Sequence, residues 1–464
     1  MLNDLEPAAA SATLWSWKKI LAVFLTPLVG FVVLLLLWDS KLETFPELTR
    51  HRRSMPPDAD NGYLALEAKW SKLPEVDGEI TQKWRDMGLG RAPWDDGFVQ
   101  GLNPGARDLG ADLKSALAAP DWMVPIRGED DPKPSIPGGL RALRALAIQG
   151  LSTGHWEQTL QLVQLFHRLS RRQIQGANDG HALYLGCSPD IHAASLTAQL
   201  LAMAPLSAEA VERLRICWEA DGISQSDLRP PAAGEITAFQ DYAQGAADRL
   251  YLEGWRRWHF HLTYRENWTL NRMNRMLAAI SLEGLATAPA RETTLYAELD
   301  RVNDDTGRYP YLDLNLGGKL LTLMKFTGFY YGQHCFLTGP RQKLFAARAA
   351  RVAVALKLWG RSHGDGMPVA LEELVPDFLM EIPEDPWTGR PIQWDPVSRV
   401  LSAVGDDWVP DGPTAGEFSF SGLGVSAFGL VRFSLSRANA APMPWKSPWG
   451  FTIPGKRSSA PATK

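Results

Sequence analysis

The chain has 464 residues, with 48 basic and 52 acidic side chains, a net charge of −4 and 45% apolar residues, an ordinary globular composition. It holds no basic excess to grip a phosphate backbone, which argues against nucleic acid as a partner. Its three cysteines, Cys187, Cys217 and Cys335, are too few and too far apart for a metal pattern or a disulfide framework. A Cys187–Cys217 bridge stays open to an extracytoplasmic domain, and buried free thiols are the favoured reading.

Ile20–Trp38 reads ILAVFLTPLVGFVVLLLLW and carries no charge. At about 1.5 Å per residue this run reaches roughly the thickness of a bilayer's hydrocarbon core. Lys18 and Lys19 precede it and Asp39 follows it. Trp15, Trp17 and Trp38 stand at the levels where indole rings prefer to lie. The sequence predicts a single transmembrane helix at 20–38 behind an N-terminal tail at 1–19. Pro27 sits inside the run, where lipid tolerates it with a mild kink. Asp39-Ser40-Lys41-Leu42-Glu43 holds no small-x-small cleavage pattern, so the run reads as an uncleaved signal anchor. The flanking charges disagree on orientation. Lys18 and Lys19 favour a cytoplasmic N-terminus, whereas Lys41, Arg50, Arg52 and Arg53 outnumber them on the far side. The lysine pair touches the membrane edge, and the favoured orientation puts the large domain in the periplasm, on a bacterial inner membrane.

Residues 39–60 read as a stalk-like linker, and a helical domain is expected over 61–345. It opens with Tyr63, Leu64, Leu66 and Trp70, with Asp60 as the expected cap. Residues 85–138 are rich in Gly, Pro and Asp, with a short helix expected at 106–118. A helical hairpin follows. Leu140, Leu143, Ala147 and Leu151 recur at helical spacing, Ser152-Thr153-Gly154 breaks the pattern, and Trp156, Leu160, Val163, Phe166, His167 and Ser170 resume it. The pair resembles one tetratricopeptide-type unit, with no second copy at that period. His192–Ala204 and Ala208–Ala220 predict a further antiparallel pair, with Ser207 introducing its second member. Glu235–Tyr264 reads as one long helix carrying the aromatic and basic cluster Trp255 to His261. Trp268–Leu285 and Thr293–Val302 continue the helical pattern, and Lys319 and Lys325 argue against a second span at Leu312–Phe336. Phe345–Trp359 closes the series.

The texture then changes. Met367–Leu379 predicts a short helix between prolines, and Ile382–Pro391 a tight turn around Pro386 and Gly389. Ile392–Trp394 and Val400–Val404 predict strands around an Asp395-Pro396 turn. This run, Leu371-Glu372-Glu373-Leu374-Val375-Pro376 through Asp385-Pro386-Trp387 to Gly405-Asp406-Asp407, resembles the C-terminal end of the type II secretion major pseudopilins. The resemblance covers about Ala349–Gly412. In that family the loop after the last of these strands binds calcium. The resemblance implies Asp406, Asp407 and Asp411 as metal ligands here, with carbonyls of Leu401 and Ser402, a hard oxygen set that suits calcium. Trp408-Val409-Pro410 departs from the family's Gly-rich continuation. The anchor also lacks the glutamate of a pseudopilin helix. The whole chain better resembles a set of uncharacterised bacterial membrane-anchored proteins with an N-terminal span, a helical middle and this same end. Beyond the module at 346–412, residues 413–464 read as a Gly-, Ser- and Pro-rich tail, with hints of strand at Phe418–Leu430.

The expected fold is mostly α: one transmembrane helix, an α-helical hairpin domain and a small α+β C-terminal module. Candidate chemistry is thin. His259 and His261 are too few for a zinc site. Glu235, Asp241, Glu253 and Glu266 are the acids from which a hydrolase pair would be drawn. Asn267-Trp268-Thr269 matches a glycosylation sequon, a pattern frequent by chance. The scattered tryptophans read as core, with sugar stacking as the sharper alternative. Two functions stay open. The favoured one is a membrane-tethered, non-catalytic interaction or assembly module of the cell envelope, bound to the lipid bilayer and to a protein partner, with no cofactor other than the calcium above. The alternative is a membrane-anchored hydrolase of envelope polysaccharide.

Overall fold

Helical periodicity dominates the middle of the chain, and helices dominate the computed structural model. It describes residues 26–27, 29–30, 41–44, 46, 54–71, 73, 109–125, 136–219, 222–244, 264–283, 339–364, 366–397, 399–403, 418–419 and 431–434. The chain divides into two units, each made of two stretches. One joins Met1–Arg52 to Arg229–Gln333, and the other joins Arg53–Leu228 to His334–Lys464.

The second unit starts with α1 (Gly62–Trp70) and α2 (Leu109–Leu117). The cap of α1 is Asn61 rather than Asp60. Its Oδ1 accepts the N–H groups of Tyr63 and Met123, both at 3.1 Å, and its Nδ2 donates to the Met123 carbonyl at 2.8 Å. An amide donates and accepts at once, which a carboxylate cannot do, so Asn61 also ties the helix start to a distant strand-like segment. The hairpin is α3 (Ile136–Ser152) and α4 (Trp156–Gln175), joined through Gly154 at φ +78°. Gly139 on α3 lies so close to the Trp70 ring that a Cβ there would sit 2.1 Å from it.

Next is α5 (Gly180–Met203), capped by Asp179, whose side chain accepts the Ala182 N–H at 2.7 Å. Its start lies well before the expected His192. The helix runs through both Gly186 and Pro189. Packing on every side outweighs local propensity here, and the Ser170 hydroxyl donates to the Gly186 carbonyl at 2.7 Å one turn before the proline. Ser207 caps α6 (Ala208–Cys217) through the Ala210 N–H, as expected. The last long helix is α9 (Gly339–Ser362), which packs along α5. Both helices turn small residues inward, among them Ala193, Ala194, Ala346, Ala349 and Ala350, so their backbones approach closely.

The C-terminal module leans on α9. Phe345 and Trp387 rings lie 6.3 Å apart, Arg348 donates to the Glu384 carbonyl at 2.6 Å, and Trp359 meets Phe378 edge-on at 5.8 Å. The helix expected over Met367–Leu379 is reduced to a 3-10 turn at Leu371–Leu374. Pro368 and Pro376 bound it too tightly for more, and Glu373 accepts the N–H groups of Val369 and Ala370 at 2.8 and 3.0 Å. Strands β1 (Gln393–Asp395), β2 (Val400–Ala403), β3 (Phe418–Ser419) and β4 (Val431–Ser434) form a sheet in the order β1-β2-β4-β3. The β1–β2 and β2–β4 pairs are antiparallel, with Leu401 opposite both Trp394 and Phe433, and β3 runs parallel to β4.

The first unit takes in α7 (Gln225–Gln244) from Arg229 on; that helix starts ten residues ahead of the expected Glu235 and contains Pro230 and Pro231, while α8 spans Glu266–Glu283. Residues 41–44, within the stretch read as a linker, lie against α8. Asn271 accepts the Glu43 N–H at 2.7 Å and donates to the Lys41 carbonyl at 2.8 Å. The Glu43 carboxylate receives both arms of the Arg275 guanidinium, one at 2.7 Å. Among the described residues no helix is long and apolar enough to cross a membrane. Most of Ile20–Trp38 lies outside the described residues. Thr26, Pro27, Val29 and Gly30 within it are helical and exposed.

Candidate functional site

Most residues singled out for chemistry lie outside the described residues. Asp406, Asp407 and Asp411 lie outside the described residues, as do His259, His261, Glu253, Trp255 and Trp258. Leu401 is fully buried in β2. Glu235 is buried in α7, and Glu266 is half-buried at the start of α8. Among the described residues no three metal-ligating side chains come together. Thr269 of the sequon is 1% exposed, with its hydroxyl donated to the Arg265 carbonyl at 2.7 Å. Trp70, Trp122, Trp218 and Trp387 are core residues. Cys187 and Cys217 are free thiols, so the bridge between them is not formed. Burial pushes each thiol up to about 12, far from the thiolate needed for nucleophilic work.

The strongest polar constellation lies where α4, α5 and α9 meet. His167 projects from α4, Asp190 from α5 and Lys343 from α9. Nδ1 of His167 lies 2.9 Å from one Asp190 carboxylate oxygen, and Nζ of Lys343 lies 2.8 Å from the other. The Lys343 and Asp190 side chains are wholly buried. Burial pushes the Asp190 carboxyl up, but the Lys343 ammonium and His167 outweigh it and hold the group below the ordinary carboxylate range.

The chamber around the trio is closed. Trp218 packs edge-on against the His167 ring at 5.2 Å and donates its indole N–H to Thr197 at 3.1 Å. Gly222, at φ +70°, passes directly over Lys343, and a Cβ there would lie 2.7 Å from Nζ. A second buried histidine, His192, faces Arg144 at 3.2 Å. Burial first, then the charges of Arg144 and Arg141, push its pKa well below the usual imidazole value, so it stays neutral and accepts from the guanidinium. The Arg351 guanidinium donates to the Trp218 carbonyl at 2.9 Å, and Arg361 donates to the Leu206 carbonyl, so α9 brackets α6 at both ends.

This arrangement pins three helices in one register. His167 and Asp190 have the spacing of an orienting acid and a base, yet each is spent on a neighbour inside the buried core, where an ion pair must satisfy itself. Sequence reasoning missed the trio, although a signal was present. Asp190 is the sole acid or fixed cation in the 24 residues of α5, and His167 falls on the apolar stripe of α4 between Val163 and Ser170. No family model matches the chain, and neither a curated protein nor a solved structure matches it.

Proposed function

We propose that the protein is a membrane-tethered, non-catalytic interaction or assembly module of the bacterial cell envelope. Ile20–Trp38 anchors it in the inner membrane, and its large domain stands in the periplasm. The supporting observation is Val29. This apolar residue at the middle of the run is helical and 51% exposed, instead of being packed into a core. An apolar side chain left uncovered by protein in the middle of an uncharged run suits a hydrocarbon solvent. The resemblance of the C-terminal module to the pseudopilin end supports an assembly role, as do helical hairpins whose ionisable core groups serve to hold helices together.

Fractionation of the host envelope tests the reading. The full-length protein is expected to stay with the membrane pellet through alkaline carbonate, and its body is expected to be degraded by protease added to spheroplasts. Cross-linking in intact cells followed by mass spectrometry is expected to trap an envelope protein. Recovery of the full-length chain in the carbonate supernatant overturns the proposal.

A further inference from the structure

The clamp between residues 41–44 and α8 has a spatial consequence, provided the anchor proposed above is correct. Two residues, Asp39 and Ser40, separate Trp38, the last of the apolar run, from Lys41, and the three residue steps reach at most about 11 Å. Asn271 holds the Lys41 carbonyl at 2.8 Å and the Glu43 N–H at 2.7 Å, and the Glu43–Arg275 ion pair fastens the same segment one turn further along α8. A side chain that binds both a carbonyl and an N–H of a passing strand fixes its direction as well as its place. The tether therefore keeps α8 beside the point where the chain leaves the hydrocarbon.

Trp268 lies on the same face of α8 as Asn271 and Arg275, at helical spacings of three and seven, and about 4.5 Å along the axis from Asn271. Its indole is 42% exposed, the one exposed large apolar side chain among the described residues of α8. An indole pairs an apolar body with an N–H donor and favours the headgroup layer over either water or hydrocarbon. We propose that α8 lies against the lipid surface, with Trp268 seated in the headgroup layer and the Asn271 clamp holding it there. The partner is the bilayer interface itself.

The test uses full-length protein reconstituted into phosphatidylethanolamine–phosphatidylglycerol vesicles, with a dansyl amino acid in place of Trp268. Vesicles containing lipid with a shallow doxyl group are expected to quench the emission about twofold relative to plain vesicles, because the probe sits at the depth indoles choose. Asn271→Ala is expected to reduce that quenching by freeing the clamp. The same probe at Arg272, one turn along α8 from Trp268, supplies the reading if the first variant does not fold. Carbonate extraction of the same vesicles separates two failures. Protein that resists extraction while its probe is unquenched overturns the lipid contact and leaves the anchor standing. Protein that is extracted overturns both.

Discussion

Asp190 is the residue on which the second unit turns. His167 faces one of its carboxylate oxygens and the Lys343 ammonium the other, and its side chain is wholly buried. Lys343→Met leaves a buried carboxylate without its ammonium, a loss of about 3–5 kcal/mol. At the usual scaling for a domain of this size, thermal denaturation followed by circular dichroism should show a drop of roughly 10 °C. Adding Asp190→Leu to Lys343→Met is expected to recover more than half of that drop, because an apolar pair of similar volume needs no counter-charge. The pH dependence has a defined sign. The Asp190 carboxyl is held below its ordinary value, so its contribution to stability is complete above about pH 4. It drains away as the pH falls through the lower value in the folded state. A plot of melting temperature between pH 5 and pH 2 should therefore fall more steeply for the native chain than for Asp190→Asn.

The sequence carried the helical frame but hid this trio. A lone acid in a long uncharged stretch marks a buried group, yet its partners lie on helices far away in the chain. His167 looked like one more member of an apolar stripe. Lys343 and Arg341 precede the helix expected at Phe345–Trp359, and both are wholly buried. No local pattern announces a pairing between a residue at 190 and one at 343.

At the scale of elements, α9 is the spine. Its small residues meet α5, its arginines bracket α6, and its aromatic residues receive the C-terminal module. Trp387 is 1% exposed against Phe345. Trp387→Ala should remove about 3–5 kcal/mol of packing. The turn at Ile382–Pro391 should then be cut by protease well before the helices are, as seen by mass spectrometry of the fragments. Of the helices that sequence periodicity placed well, α4 and α6 have clean breakers or caps at their ends, and α3 ends at the Ser152-Thr153-Gly154 break. Those placed badly, α5 and α7, carry prolines inside them, at Pro189 and at Pro230 and Pro231. Proline is a dependable stop signal where a helix is half-exposed, and a weak one where tertiary packing holds the backbone from every side. The three aspartates that the resemblance implies as calcium ligands fall outside the described residues, and the described part of the C-terminal module is held by Trp387, Glu373 and the sheet.

At the scale of the molecule, neither unit is continuous in sequence. Ending the chain at Gln333 deletes α9 and removes Lys343, the wall of α5 and the support of the C-terminal module in one step. Such a truncation should fail to give a cooperative melting transition by circular dichroism, whereas the full chain should give one.

Synthesis on the ribosome gives this discontinuity a time dimension. Asp190 emerges roughly 150 residues ahead of Lys343, an interval of about 10–30 s at ordinary elongation rates. Throughout that interval the nascent α5 holds an uncompensated anion on a greasy rod with no lid. A waiting period of this length favours capture by holdase chaperones, and slow codons placed between the two positions would lengthen it.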